Sequence, residues 1–307
     1  MNAVFRFLTA GLALVVWFAT PIAAQKRTQE TFATPELAAS AVLSALQSKD
    51  EARILSIFGP EAREAFSSGD PTLDRIEREV MTAAMSQSWR WVARGSRSRE
   101  LVVGDEGWPF PVPLVRRGTT WTFDTAAGKQ EVLARRVGRN ELKVIGLCRQ
   151  YVFVQQRYAS EGHDGNPAEA FAQQFRSDAG KQNGLYWETG PGESPSPMGD
   201  LAAKAAVEGY DRRASGEAAP FHGYHFRILT AQGRNASGGP KNYVVDGRMT
   251  QGFALIAYPA KYRNSGVMTF VVNQDGVVYE KDLGPDTERL ATANVAFNPD
   301  RTWRRVQ

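Results

Sequence analysis

Two histidines three positions apart, His222 and His225, are the pair whose spacing first suggests chemistry. Imidazole nitrogens are common metal ligands, and His163 or Asp164 in an earlier loop could supply a third ligand. The residues around the pair alternate as in a β-strand, in which side chains an odd number of positions apart point to opposite faces. The sequence therefore predicts neither a metal site nor a cofactor, and His222 and His225 are kept only as candidates should a metal bind.

Aromatic residues in loops and at strand edges are the main candidates for a ligand-binding site. One interpretation is that their rings fill the seam between two domains. The alternative is that they line a groove for a glycan, a peptide or another component of the cell envelope, with Asp105, Glu106 and Arg116 as its polar groups. The candidate ligand-binding residues are Trp108, Phe110, Trp121, Tyr186 and Trp187.

The sequence matches no common catalytic motif: G-x-S-x-G, H-E-x-x-H and the phosphate-binding loop are all missing from it. Four carboxylates, Glu106, Glu188, Glu280 and Asp282, are candidates for acid–base catalysis, and a glycosidase would need two of them about 5–10 Å apart across a cleft. The single cysteine, Cys148, lies in an apolar run and is interpreted as a core residue rather than a nucleophile. The catalytic residues are thus unknown, and the sequence favours a protein without catalytic activity.

Composition indicates an ordinary globular protein. The chain has 307 residues, of which 42% are hydrophobic and 23% are charged, so it can bury a sizeable core. The formal net charge is +4, but the densest basic spots, Arg94–Arg99 and Arg135–Arg139, are short and are interpreted as solvated surface. A nucleic-acid partner is not expected, because it would need a concentrated basic patch.

The first 24 residues have the composition of a secretory signal peptide. Arg6 precedes the apolar run Phe7–Ile22, and Ala23–Ala24 stands before a polar segment, so cleavage is predicted after Ala24. The alternative is an uncleaved anchor, but a spanning helix needs ~20 apolar residues, more than this run contains. We therefore predict an exported protein, periplasmic or secreted, with no transmembrane segment after cleavage.

Capping residues predict several helices in the first half of the chain. Thr34–Pro35, Asp70–Pro71 and Asn166–Pro167 each pair a helix-capping residue with a proline at the first helical position. Asp50 is predicted to cap a short helix through Phe58. The predicted helices are Pro35–Gln47, Pro71–Met85, Ala127–Val137 and Asn140–Ala159. The last two are separated by a predicted helix break at Gly138–Asn140. The predicted strands in this half are Arg99–Val103, Pro111–Arg116 and Thr119–Asp124.

The last third of the chain alternates as β-strands do, with glycine-containing turns between the strands. The strongest hairpin pattern is Val267–Lys281, and a short helix, Met198–Glu208, precedes this region and ends at Gly209. A final helix is predicted at Glu288–Val295. The remaining predicted strands are Tyr224–Thr230, Tyr243–Val245 and Gly252–Tyr258, and the spacing favours an antiparallel sheet.

Long segments of the chain resemble one family of exported proteins. They are Gly107–Val115, Trp121–Lys129, Arg139–Leu142, His222–Gly233 and Gly266–Gly284. In these segments the sequence is similar to the bacterial domain-of-unknown-function 2950 family, and the resemblance covers nearly all of the chain after the leader. It implies export, but it carries neither an activity nor catalytic residues.

Two further likenesses concern the fold alone. The opening helices with paired strands are similar in pattern to small cone-shaped domains of the nuclear-transport-factor-2 type. The C-terminal strands look like the globular heads of pilin-like proteins.

Together these patterns predict an α+β protein: N-terminal helices with a small sheet, then an antiparallel sheet that is pilin-head-like by analogy. The predicted parts are a signal peptide (1–24), an N-terminal α+β region (28–160), a loop-rich connector with short helices (161–214) and a C-terminal sheet region (215–307). We expect a non-catalytic cell-envelope or secreted protein that binds an envelope component or a protein partner. The alternatives are a periplasmic hydrolase of unknown class, or a small-molecule binder that uses the N-terminal cone.

Overall fold

The computed structural model describes residues 29–163, 169–190, 192–207 and 219–307. The predicted signal peptide, the helix start at Asn166–Pro167, the loop residue Asp164 and the helix end at Gly209 lie outside these residues. The described part of the chain contains seven helices: α1 (Pro35–Gln47), α2 (Glu51–Phe58), α3 (Ala62–Phe66), α4 (Pro71–Gln87), α5 (Thr125–Glu161), α6 (Gly199–Val207) and α7 (Thr287–Ala293).

Side-chain caps begin the N-terminal helices where the sequence predicts them. Thr34 Oγ1 accepts a hydrogen bond from the Leu37 amide at 3.3 Å, and Asp70 Oδ1 accepts one from the Leu73 amide at 3.0 Å. Asp50 caps α2 in the same way. These bonds satisfy amides that have no partner within the helix, which is why short polar residues favour this position. The short helix α3 was not predicted.

A five-stranded antiparallel sheet follows the first four helices. Its strands are β1 (Trp89–Ala93), β2 (Ser98–Val103), β3 (Trp108–Pro109), β4 (Leu114–Arg117) and β5 (Thr120–Phe123). Their order is β1-β2-β4-β5, and β3 pairs with β2. Gly118, with a φ of 64°, makes the turn between β4 and β5 that was predicted there. Strand β4 begins at Leu114 rather than at Pro111, since prolines 111 and 113 cannot donate ladder hydrogen bonds.

Helix α5 runs without interruption, so the predicted break at Gly138–Asn140 is wrong. A Cβ added at Gly138 would have nothing within 4 Å, which places this glycine on an open side of the helix. The Asn140 side chain does not cap a new helix. Its Nδ2 instead donates a hydrogen bond to the Ser265 carbonyl at 2.8 Å, in a buried position.

The C-terminal region contains a second antiparallel sheet and several smaller strand pairings. Its strands are β6 (Tyr224–Leu229), β7 (Ala231–Gln232), β8 (Lys241–Asn242), β9 (Val244–Val245), β10 (Arg248–Met249), β11 (Ala254–Pro259), β12 (Met268–Asn273), β13 (Tyr279–Asp282), β14 (Ala296–Phe297) and β15 (Arg304–Arg305). The order of the sheet is β15-β13-β12-β11-β6. The predicted hairpin is present as β12 and β13, with Phe270 opposite Glu280. Strands β7 to β10 and β14 form the smaller pairings, and β14 and β15 were not predicted.

Helix α5 packs against two hydrophobic cores. We call them the N-terminal core, which contains Val42, Ile57, Leu101, Leu114 and Phe123, and the C-terminal core, which contains Tyr224, Phe253, Ile256, Phe270 and Val272. The first half of the helix packs Val132 against the N-terminal core. The second half contributes Val144, Cys148 and Tyr151 to the C-terminal core. The helices lie mainly in the N-terminal half and the antiparallel sheets mostly in the C-terminal half, so the predicted α+β class is confirmed.

Buried hydrogen bonds join the N-terminal helices to the loop that precedes β12. Asn264 Nδ2 donates to the Glu64 carbonyl at 3.0 Å, and Asn264 Oδ1 accepts from Arg136 Nη1 at 3.1 Å. The Gly223 amide donates to Asp70 Oδ2 at 3.0 Å. The carboxylate that caps α4 therefore also binds the turn before β6.

In the described part of the chain, no helix is sufficiently long and apolar to cross a membrane.

Candidate ligand-binding cleft

A cleft of about 860 Å³ opens between helices α1 to α4, the segment Trp108–Pro111 and one side of α5. Its volume lies within the ~300–1,000 Å³ that is usual for small-molecule sites. Most of its lining is apolar, and charged side chains are concentrated on α4 and α5. Helix spacing produces this arrangement, because each helix buries one face in the N-terminal core and turns an adjacent face to the cleft.

Helices α1 and α2 form the apolar wall of the cleft, which consists of Val42, Leu46, Ile54, Leu55 and Phe58. On each helix these residues recur three or four positions apart, so they share a face. Leu46, Ile54 and Leu55 are only half-buried, although they pack against the N-terminal core. Their remaining surface faces the cleft rather than the core.

A group of phenylalanine rings continues the apolar lining at α3 and after β3. The Phe58 ring centroid lies 5.1 Å from that of Phe66 and 5.7 Å from that of Phe110. The Phe58 ring also packs 4.7 Å from Phe123, which belongs to the N-terminal core. Such spacings are typical of favourable aromatic pairs. The core therefore fixes the position of the rings that line the cleft.

Helix α5 forms a second, basic wall of the cleft, which consists of Arg135, Arg136, Arg139 and Lys143. Arg136, Arg139 and Lys143 follow Arg135 by one, four and eight positions, so all four lie on one side of the helix. Arg139 is 60% exposed and forms an ion pair with Glu77 of α4. Arg135 Nη1 donates a hydrogen bond to the Pro109 carbonyl at 2.7 Å, which ties the basic wall to the segment that contains Trp108.

Arg136 lies at the inner side of the basic wall, with its side chain only 2% exposed. Its Nη2 donates a hydrogen bond to the Ala65 carbonyl at 2.8 Å, and its Nε lies 3.7 Å from Glu77 Oε2. Burial lowers the pKa of the Arg136 guanidinium, while the carboxylates of Glu77 and Asp74 oppose that change. An arginine pKa starts so high that the group stays charged at neutral pH.

His222 closes the cleft from the C-terminal side. It is 6% exposed and lies in a turn before β6, with a φ of 50°. Burial, assisted by the charge of Lys143, lowers the pKa of His222 to about 4, so the imidazole is neutral at pH 7. We predicted that His222 and His225 both lie on a strand, and this is wrong for His222. Only His225 lies on β6, where its ring is 5.4 Å from Tyr258.

The depressed pKa of His222 predicts a loss of stability in acid. Because the folded protein binds this proton only near pH 4 and the unfolded chain binds it near pH 6.5, acid favours the unfolded chain. The stability that this residue contributes is complete above pH 6.5 and falls as the pH drops toward 4, by about 3 kcal/mol at pH 4. Urea unfolding at pH 7 and at pH 4 measures the difference.

Asparagine is a suitable replacement at position 222, because it tolerates a positive φ and does not titrate. In His222→Asn the difference in the free energy of unfolding between the two pH values should shrink by about the same 3 kcal/mol. Equal differences in the two proteins would contradict a depressed histidine pKa.

The five aromatic candidates do not lie together. Trp108, 48% exposed, and Phe110 both line the cleft. Trp121 is 7% exposed and belongs to the N-terminal core, with the Arg99 guanidinium 5.1 Å from its ring. Tyr186 and Trp187 lie outside the cleft, and Trp187 packs 5.0 Å from the His163 ring. Folding thus brings together two of the five, and ligand binding by any of them stays a prediction.

The other candidate reactive groups lie away from the cleft. Burial raises the pKa of the Cys148 thiol to about 12, so it is protonated and a poor nucleophile at neutral pH. Glu280 pairs with Arg304 at 2.9 Å, and the Tyr262 hydroxyl lies 3.2 Å from Asp282. Within residues 29–163, 169–190, 192–207 and 219–307, no three His, Cys, Asp or Glu side chains are grouped as metal ligands.

Sequence reasoning did not identify the two walls of the cleft. No apolar wall was predicted on α1 or α2, and the basic spot Arg135–Arg139 was interpreted as solvated surface. A signal was nevertheless present in the helical spacing of Arg135, Arg139 and Lys143, which places three cations on one side of a predicted helix.

The chain matches a known protein family over nearly its whole length. The model of a family described as "Protein of unknown function (DUF2950)" matches residues 29–306. No curated protein and no solved structure matches the chain.

Proposed function

From its membership of the domain-of-unknown-function 2950 family, which specifies no activity, and from the geometry of its cleft, we propose that this chain is a non-catalytic binding protein. The proposed ligand is a small, largely apolar molecule that lies against α1 and α2. The observation that carries the proposal is the cleft of about 860 Å³ with its apolar wall.

The half-buried apolar side chains of the cleft supply a driving force for binding. Leu46, Ile54 and Leu55 leave apolar surface toward the cleft, and Phe66 and Phe110 extend it. Removing apolar surface from water is favourable by roughly 25 cal/mol per Å². A ligand that covers this surface would therefore bind without needing a reaction at the site.

The hydrolase alternative has less support. The carboxylates considered for it, Glu106, Glu188, Glu280 and Asp282, are not among the residues that line the cleft.

An envelope or secreted location is also proposed, and it is supported by the predicted signal peptide and its predicted cleavage after Ala24. N-terminal sequencing of the protein recovered from its host tests that location, and an intact Met1 would contradict it.

Binding can be tested with a neutral apolar fluorophore such as N-phenyl-1-naphthylamine. We expect saturable binding of one dye per chain, with fluorescence enhancement as the readout. Leu46→Gln, which adds a polar group to the apolar wall, is expected to weaken dye binding about tenfold.

Leu43 provides a matched control on the same helix. It is also half-buried against the N-terminal core but is not among the residues lining the cleft. Leu43→Gln is therefore expected to lower the melting temperature but to change the affinity for the dye by less than about twofold. Non-saturable binding, or the same loss of affinity in both variants, would contradict the proposal.

A further inference from the structure

We propose, building on the binding function above, that the ligand is a single-chain amphiphile with an anionic head. Its carboxylate or phosphate lies against the basic wall, Arg135, Arg136, Arg139 and Lys143, and its apolar chain lies against α1 and α2. The two walls of one cleft thus recognise the two chemically different ends of one molecule.

The charge of the cleft is unevenly distributed. Among the described residues that line it, six side chains are basic and three are acidic. Four of the basic side chains belong to α5, which supplies no acidic residue to the described lining. The wall formed by α1 and α2 supplies five apolar side chains and a single acid, Glu51. This asymmetry matches a molecule with one apolar and one negative end.

The acidic side chains near the basic wall do not cancel its charge. The Asp74 carboxylate accepts the Ser68 amide through both of its oxygens, at 2.9 and 3.1 Å. Glu77 is shared between Arg136 and Arg139, and Arg135 pairs with Glu131 on the same helix. These three guanidinium groups therefore face two carboxylates, which leaves an excess of positive charge.

The buried guanidinium of Arg136 has hydrogen-bonding capacity left over. Its Nη1 and Nη2 donate to Asn264 and Ala65, but in the described part of the chain its buried Nε has no hydrogen-bond acceptor. The Glu77 carboxylate, at 3.7 Å, is beyond hydrogen-bonding distance. Buried donors normally have a partner, and a charge-assisted hydrogen bond to an oxyanion that displaced Glu77 toward solvent would supply one.

A series of decyl compounds separates the head from the chain. Decanoate and decyl phosphate carry the proposed heads, decanol carries none, and decyltrimethylammonium carries the opposite charge. Affinities are measured by displacement of the neutral dye from the intact protein, below the concentrations at which micelles form. We expect both anions to bind about tenfold more tightly than decanol, and the preference to shrink with added salt.

The double variant Arg135→Gln/Arg139→Gln tests the basic wall. Both side chains are partly or largely exposed, so the fold should persist, and the preference for decanoate over decanol should fall to about twofold or less. Arg149→Gln is the matched control, because Arg149 is exposed on the same helix but does not line the cleft. It should leave the preference unchanged.

Each outcome separates the two proposals. Decanol that binds as tightly as decanoate, or a cationic head that binds best, overturns the anionic head and leaves the binding function intact. Inorganic phosphate that binds as tightly as decyl phosphate overturns the amphiphile, because the chain would then contribute nothing. Failure of every decyl compound and of the dye overturns both proposals.

Discussion

Replacing Arg136 with alanine is expected to lower the free energy of unfolding by about 3–5 kcal/mol, measured by urea denaturation. The side chain is 2% exposed and joins three parts of the chain. It belongs to α5 and donates hydrogen bonds to the Ala65 carbonyl within α3 and to Asn264 in the loop before β12. Its loss leaves buried acceptors without a donor and opens a cavity, and each effect is destabilising.

Arg139 provides the matched control for this prediction. It pairs with the same carboxylate, Glu77, but its side chain is 60% exposed. An exposed ion pair contributes at most about 1 kcal/mol, because water screens it. Arg139→Ala should therefore shift the urea midpoint only slightly. A loss as large as that of Arg136→Ala would indicate that the ion pair with Glu77, rather than the buried network, stabilises this region.

Replacing Gly128 with alanine is expected to destabilise the protein by about 1–3 kcal/mol, although glycine-to-alanine changes within helices usually stabilise. A Cβ at this position would lie 2.6 Å from the Pro111 carbonyl oxygen and 2.7 Å from the Val112 Cα. Both are backbone atoms, so α5 and the loop before β4 must move apart. The melting temperature measures the effect.

Gly138 on the same helix should respond in the opposite direction. A Cβ there would have nothing within 4 Å, so Gly138→Ala should stabilise the protein by about 0.5–1 kcal/mol. Because Pro111 and Val132 line the cleft, Gly128→Ala should also weaken dye binding, whereas Gly138→Ala should not. Stabilisation by both changes would show that α5 and the Pro111–Val112 loop are less tightly packed than the structure indicates.

The sequence predicted the elements whose causes are local. The starts of α1, α2 and α4 follow from Thr34, Asp50 and Asp70, because a cap acts within one turn of the helix. The hairpin of β12 and β13 follows from alternation on both sides of a glycine turn at Gly276.

The elements that were missed or misjudged depend on distant partners. Strand β1 follows α4 with a single residue between them and exists because β2 pairs with it, from Trp89 opposite Val103 onward. Strand β14 pairs with β7, and β15 with β13, over long separations in sequence. Helix α5 continues through Gly138–Asn140, and the Asn140 side chain binds the distant Ser265 carbonyl instead of capping a helix.

The candidate site was predictable only in part. Trp108 and Phe110 were identified as candidates because large aromatic rings are unusual in loops, and both line the cleft. Trp121 carried the same signal but belongs to the N-terminal core. Residue type alone cannot separate these outcomes, because an aromatic ring in a core and one in a binding site have the same chemistry.

The family, the α+β class, the helix starts and the turns could be predicted from the sequence, since they depend on residues near one another or on long matching segments. Folding was needed to show that the leucines of α1 and α2 line the same cleft as the arginines of α5. It also decided that Arg136 is buried against Asn264, 128 positions away. The physical reason is that solvent exposure and ion pairing depend on which surfaces meet after folding. A periodic pattern specifies the face of each helix but not its partner.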